Sequence, residues 1–296
     1  MTDPRLAEVI SERRQLINLA YRLLGSLAEA EDVAQETYTR WYALTDAQRE
    51  AIASPGAWMT TVASRICLDL LGSARARRER YVGGWIPEPV PGDWLDATGS
   101  APADPADRVT LDESISMAFL VVLDSMTPAE RVSFVLHDIF RYTFAEIADV
   151  VGRTPAACRQ LASSARRRID TSRDPSTTDR ADLVRGFKQA WESRDIEALV
   201  DLLDPSAVAT ADGGGLALAF LEPISGAEQI ADAWMDIAAR GPAVALTECT
   251  VNGQPGLVGE LDGATVSVYA FDIADGRITR IWAVRNPEKL RPWSAR

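Results

Sequence analysis

The chain has 296 residues, 47% of them apolar, enough to bury two or three modest cores rather than one. Its net charge of −12 argues against a free-standing nucleic-acid binder, which usually has a strongly basic surface. No run nears the roughly 18 apolar residues of a membrane span and the first residues lack a signal peptide's apolar stretch, so a cytoplasmic protein without membrane contact is expected.

Residues 1–173 hold 20 basic and 24 acidic side chains, net −4, and the remainder 11 and 19, net −8. The arginine clusters all lie in the first part, so DNA contact there is expected to be local and assisted by a partner. Cys67, Cys158 and Cys249 form no C-x-x-C pair, and His137 is the only histidine, so neither a disulfide frame nor a metal site is expected. Lys188 and Lys289 are the only lysines.

Leu16, Leu19, Ala20, Leu23, Leu24 and Leu27 follow helical spacing, and Ser26 with Glu29 reads as a capping box opening a second helix. That helix begins with Glu29, Glu31, Asp32 and Glu36 and ends with Tyr38, Trp41 and Tyr42. Ser54-Pro55 starts another, with Trp58, Val62, Ile66 and Leu70 as its predicted inner face and Arg75, Arg77, Arg78 and Arg80 at its end. Residues 81–108 turn to Pro, Gly, Asp and Trp without a period, which marks a linker, yet Trp85 and Trp94 are costly to leave in water. Residues 109–171 resume short helices with starts at Thr127, Thr143 and Thr154, the last two helices parted by Val151-Gly152-Arg153 in a helix-turn-helix pattern. Past a polar break, residues 178–296 read as helices followed by strands at 244–251, 256–261, 265–271 and 278–284, with Ser225 and Glu228 starting a helix between.

The segments LLGSLAEAEDVAQETYTRWY, PGAWMTTVASRICLDLL and TPAERVSFVLHDIFRYTFAEIADVVGRTPAACRQLASSARRR, in that order and spacing, resemble regions 2 and 4 of extracytoplasmic-function sigma factors. The trailing part resembles the SnoaL-like fold. The branch of the family with such a domain has W-L-P-E-P, D-G-G-G-K and N-P-x-K-L motifs, and WIPEP at 85–89, DGGGL at 212–216 and NPEKL at 286–290 are similar, with Leu216 where the branch has lysine. The resemblance implies a multidomain protein: a region 2-like helical domain at 1–80, the linker, a region 4-like helix-turn-helix domain, and an α+β cone with a curved antiparallel sheet. It further implies an alternative sigma factor whose partners are core RNA polymerase and promoter DNA, regulated in cis by its C-terminal domain without a separate anti-sigma protein.

On that resemblance Asp32, Gln35 and Glu36 meet the polymerase clamp, although acidic residues in a first turn also simply complement the helix dipole. Arg65, Arg75, Arg77 and Arg78 are candidates for the minus-ten element, and an arginine run can equally be a solvated helix end. Arg153, Thr154, Arg159 and Gln160 are placed to read minus-thirty-five bases, with Arg166, Arg167 and Arg168 anchoring phosphates. Trp85, Ile86, Pro87, Glu88 and Pro89 would dock on the C-terminal domain beside Asp212, Gly213, Gly214, Asn286, Pro287, Lys289 and Leu290. Trp58, in step with Val62 and Ile66, reads as core, and His137 as a packed or partly exposed side chain in preference to a ligand. Asp212 reads as a turn residue in preference to a catalytic acid, and Trp234, Tyr269, Phe271 and Trp282 as core in preference to the lining of a site for an unidentified small molecule. No catalytic residue, cofactor or metal is expected. A ligand-responsive DNA-binding regulator and a SnoaL-type enzyme fused to a DNA-binding module are the alternatives; acidity weakens the first, and the absence of histidine from the C-terminal domain the second.

Overall fold

The structure, a computed structural model, describes residues 4–78, 81–92, 115–170, 180–240 and 242–294. It divides into two compact units: residues 1–79, 95–114 and 119–171, and residues 80–94, 115–118 and 172–296. The predicted linker thus does not stand apart, because its first part belongs to the unit that contains the C-terminal domain.

The first unit is helical. Helices α1 (Pro4–Leu24) and α2 (Leu27–Tyr42) form a hairpin turned at Gly25, which has φ 70°, and Ser26 Oγ caps α2 by accepting from Glu29 N at 3.4 Å. Leu16, Leu19, Ala20, Leu23 and Leu24 are buried against Ala30, Val33 and Ala34 of α2 and against α4 (Pro55–Arg78). The short α3 (Asp46–Glu50) between them has its own capping box, Thr45 with Gln48. The buried face of α4 is Met59, Ala63, Cys67 and Leu71, one position on from the predicted face. Small side chains there allow close helix approach, while Trp58 is half-buried at the rim with its ring 5.3 Å from that of Trp41, so it is not core.

Four helices complete this unit: α5 (Met117–Asp124), α6 (Pro128–Phe134), α7 (Phe144–Val151) and α8 (Pro155–Asp170). Thr127 with Glu130 and Thr143 with Glu146 form complete capping boxes, and Gly152 ends α7 in the left-handed conformation at φ 68°. Between α6 and α7 a π-helical turn, Val135–Ile139, lets His137 stack on Phe144 at 4.0 Å and bond Tyr142 O through Nδ1.

In the second unit α9 (Arg180–Ser193) and α10 (Ile196–Leu202) lead into β1 (Leu203–Asp212), followed by β2 (Ile224–Ser225), α11 (Ala227–Arg240), β3 (Ala245–Val251), β4 (Gln254–Leu261), β5 (Ala264–Ala274) and β6 (Arg277–Val284). The sheet order is β2-β1-β6-β5-β4-β3. It is mixed rather than antiparallel as expected, because β1 runs parallel to β6 after a long crossover through α11 and the β3–β5 meander. Ser225 lies in β2 opposite Val208, and α11 starts at Ala227, one residue later than a Ser225 cap would place it. Alternate residues of the strands, Ala207, Ala209 and Ala211, Tyr269, Phe271 and Ile273, Ile281 and Ala283, face a core filled by Phe187 of α9, Leu199 of α10 and Ile230 and Trp234 of α11. Helices packed into one face of the sheet make the α+β cone that the resemblance implies.

Candidate functional site

Acidic and basic surfaces in the first unit follow from helical phase. On α2, Val33, Ala34 and Thr37 are buried, which leaves Asp32, Gln35 and Glu36 exposed together, with Glu36 paired to Arg40 at 2.8 Å. On α8, Cys158, Ala162 and Ala165 are buried, so Arg153, Thr154, Arg159, Gln160 and Arg167 share the exposed side. Thr154 Oγ1 caps α8 by accepting from Ala157 N at 3.2 Å, and the Arg159 guanidinium lies 5.1 Å from the Phe144 ring centre, which steadies it at the helix's first turns.

Arg166 is bonded to Asp138 through Nε at 3.0 Å, and Arg168 donates to Ser125 O at 3.1 Å, so both already serve the fold of this unit. Arg65 is exposed on α4 and donates from Nη2 to Asp149 O at 2.8 Å, at the end of α7. Arg75, Arg77 and Arg78 lie on the last turn of α4, and their side chains fall outside the described residues.

The sequence offers no signal for Arg131, which is 3% exposed. It donates from Nε to Leu123 O at 2.7 Å and from Nη1 to Leu23 O at 2.8 Å, and it pairs with Asp124 at 2.8 Å. It thereby satisfies the final carbonyls of two helices, α1 and α5. Burial pulls its pKa down to about 10, so it remains a cation at neutral pH.

The most completely bonded polar cluster lies in the second unit. Asp212 ends β1 with no exposure to solvent. Its Oδ1 accepts from Gly214 N at 3.0 Å, the turn bond its place before three glycines suggests, and from Tyr81 Oη at 2.7 Å. Its Oδ2 accepts from Ile86 N at 3.0 Å and from Lys289 Nζ at 2.7 Å. Lys289 also donates to Ile86 O and sits 4.4 Å from the Trp85 ring centre, while Asn286 Nδ2 donates to Tyr81 Oη at 2.8 Å. Burial first, and then the bond to Asp212, push the Tyr81 phenol far up, so it stays a donor.

All three motif segments therefore converge. Ile86, Pro87, Glu88, Pro89 and Val90 are buried, Trp293 Nε1 donates to Pro89 O at 2.9 Å, and Leu290 is buried, whereas Pro287 of the same terminal turn is exposed and does not dock as expected. The glycines are there for contact. A Cβ on Gly213 would stand 2.1 Å from Ala217 O, and one on Gly214, at φ 60°, 2.3 Å from Asn286 Nδ2. Leu216 is 64% exposed, and the cation at the Asp212 carboxylate is Lys289.

Trp234, Tyr269 and Phe271 are buried in an edge-to-face cluster with Phe187 and Trp191, and Trp282 is buried as well. Among the described residues no group of three or more His, Cys, Asp or Glu is placed to hold a metal ion, and no helix is long and apolar enough to cross a membrane.

The helix-turn-helix of α7 and α8 and the acidic-faced hairpin of α1 and α2 are the two halves of a sigma-70-type promoter-recognition protein: the model for Sigma-70 region 2 matches residues 9–77, and that for Sigma-70, region 4 matches residues 116–169. The chain is 37% identical over 301 residues to the ECF RNA polymerase sigma factor SigJ of Mycobacterium tuberculosis (strain ATCC 25618 / H37Rv), covering 96% of this chain and 93% of that protein. It is 35% identical over 297 residues to the probable ECF RNA polymerase sigma factor SigI of the same organism, covering 99% and 97%. The crystal structure of M. tuberculosis SigJ matches with a TM-score of 0.74 at 35% identity, over 97% of this chain and 98% of that one. The chain belongs to the ECF RNA polymerase sigma factors.

Proposed function

We propose that this chain directs promoter-specific initiation by core RNA polymerase in the cytoplasm, and that its C-terminal domain controls initiation in cis by holding the inter-region linker. The observation that carries the second half is the buried Asp212–Lys289 pair closed over the backbone of Ile86. A separate anti-sigma protein is not required where a fused domain already grips the segment between the two DNA-reading regions. Asp212 acts as a docking group in this reading and not as an acid catalyst, since its oxygens are occupied by Tyr81, Ile86, Gly214 and Lys289.

The exposed Asp32, Gln35 and Glu36 face supplies the polymerase contact. Arg153, Thr154, Arg159 and Gln160 read the minus-thirty-five bases, a bidentate arginine or glutamine contact being worth roughly 1–3 kcal/mol of discrimination. Arg167 anchors phosphate, and Arg166 does so only by giving up Asp138. Arg65, Arg75, Arg77 and Arg78 line the minus-ten side. Two weak DNA modules on an acidic chain suffice because polymerase and the linker make the second contact intramolecular.

The test is run-off transcription with purified core polymerase, comparing the full chain with a truncation after Arg173 on a promoter selected from genomic fragments. Specific initiation by either form is expected, with different yields for the two. No initiation by either form, together with DNA binding by the full chain alone, would replace this reading with a polymerase-independent regulator.

A further inference from the structure

Asn252 and Gly253 form the two-residue turn between β3 and β4, with φ of 51° and 73°. An Asn-Gly turn is an ordinary hairpin device whose asparagine side chain normally faces water. Here Asn252 has no exposure. Its backbone N donates to Val90 O at 2.9 Å, its Oδ1 accepts from Val90 N at 3.1 Å, and its Nδ2 donates to Ile115 O at 2.9 Å. Beside it Pro91 bridges to Val251, and Gly92 lies so close to Thr250 that a Cβ would stand 2.6 Å from it. Val90 and Ile115 are both fully buried.

One side chain thus binds the chain just before residues 93–114 and again just after them. We propose that Asn252 is a clasp on both ends of this segment, so that the second unit, and not the length of the linker, sets how far regions 2 and 4 can separate on a promoter. The inference rests on the proposal that the docked linker controls initiation. Those 22 residues would reach roughly 75 Å if extended. With the clasp closed none of that length is available, and with it open the reach exceeds many base-pair steps of about 3.4 Å.

The experiment is run-off transcription by the full chain on templates whose spacer between the two promoter elements is changed in single base-pair steps, from two shorter to two longer. Asn252→Gly keeps the positive-φ turn and removes the clasp. Its output on the outermost templates, relative to its own best template, is expected to rise about threefold or more over the wild type, in line with the dependence of effective concentration on tether length. Asn252→Asp keeps the acceptor for Val90 N and loses the donor to Ile115, and the same broadening is expected, which guards against a folding defect of the glycine variant. Amide exchange at Val90 should quicken at least tenfold in Asn252→Gly alone. A wild-type spacer profile in both variants, while Asp212→Asn alters output, overturns the clasp and leaves cis control standing. If Asp212→Asn also changes nothing, cis control itself has failed.

Discussion

Asp212 and Lys289 are stable in the second unit only as a pair. Lys289→Met keeps the aliphatic stem but leaves a carboxylate with no exposure and no cation, and breaking a buried pair in this way costs about 3–5 kcal/mol. Linker docking should be lost before the domain unfolds, which faster amide exchange at Ile86 with an unchanged core would show. Gly214→Ala places a methyl within 2.3 Å of Asn286 Nδ2 at a backbone φ of 60°, and a loss of about 1–3 kcal/mol in thermal stability of the second unit is expected. The motif residues at this site are legible in the sequence as segments, but their joint partners are not. Tyr81 lies 131 positions from Asp212, and Asn252 lies 162 from Val90, and no local pattern carries a bond across such distances.

Local signals succeed best at the helix starts of region 4, where the bonds lie three residues apart. Burial works to raise the pKa of Glu130, but it is outweighed by the backbone and hydroxyl of Thr127, by Ser164 and by the charge of Arg168, and the carboxyl ends lowered. The hydroxyl and backbone N–H of Thr143 lower Glu146 in the same way. A lowered folded pKa gives stability that is full above the ordinary glutamate value of about 4.3 and is lost as pH falls through the folded value. Region 4 helicity, followed by circular dichroism, should therefore fall on acidification below that range, and the Thr143→Ala variant should show less of this dependence along with a loss of about 1 kcal/mol. Arg131→Met, by contrast, leaves the carbonyl of Leu23 without its guanidinium donor at all pH values, while Leu123 O keeps the bond from Met126 N, and about 1–3 kcal/mol for one buried unmet group predicts a lower Tm. Nothing in the sequence points to that arginine. The strand β1 was equally hidden: Pro205 and a run of small alanines at 207, 209 and 211 read poorly as strand, and only the larger side chains across the core make them inner positions.

On the scale of the whole chain, regions 2 and 4 form a single compact unit although the sequence reads them as two domains, and among the contacts between them are Arg65 with Asp149 O and Arg131 with Leu23 O. The exposed Arg65 bond can be exchanged for water at a net cost of about 1 kcal/mol, and the buried Arg131 bond at about 1.5–3 kcal/mol. Opening of this unit on polymerase is therefore within reach of binding energy, and Arg65→Ala, which removes the bond to Asp149 O, should lower the stability of this unit by about 1 kcal/mol, read as a shift of its Tm. Separate helical domains were a fair reading of hydrophobic period and composition. The association of the linker with the C-terminal domain is legible through its tryptophans and through the resemblance of its WIPEP segment to the branch motif.

Apart from Tyr81 Oη and the Trp85 ring, the grip on the linker runs through main-chain atoms: Ile86 N and O, Pro89 O, and Val90 N and O. Main-chain recognition is indifferent to which molecule supplies the strand. The strap of one copy fits the cradle of another as well as its own, and the internal strap prevails only while the protein is more dilute than its effective local concentration, on the order of millimolar. In crowded preparations such as crystals or inclusion bodies, this fold has a built-in route to strand-exchanged dimers.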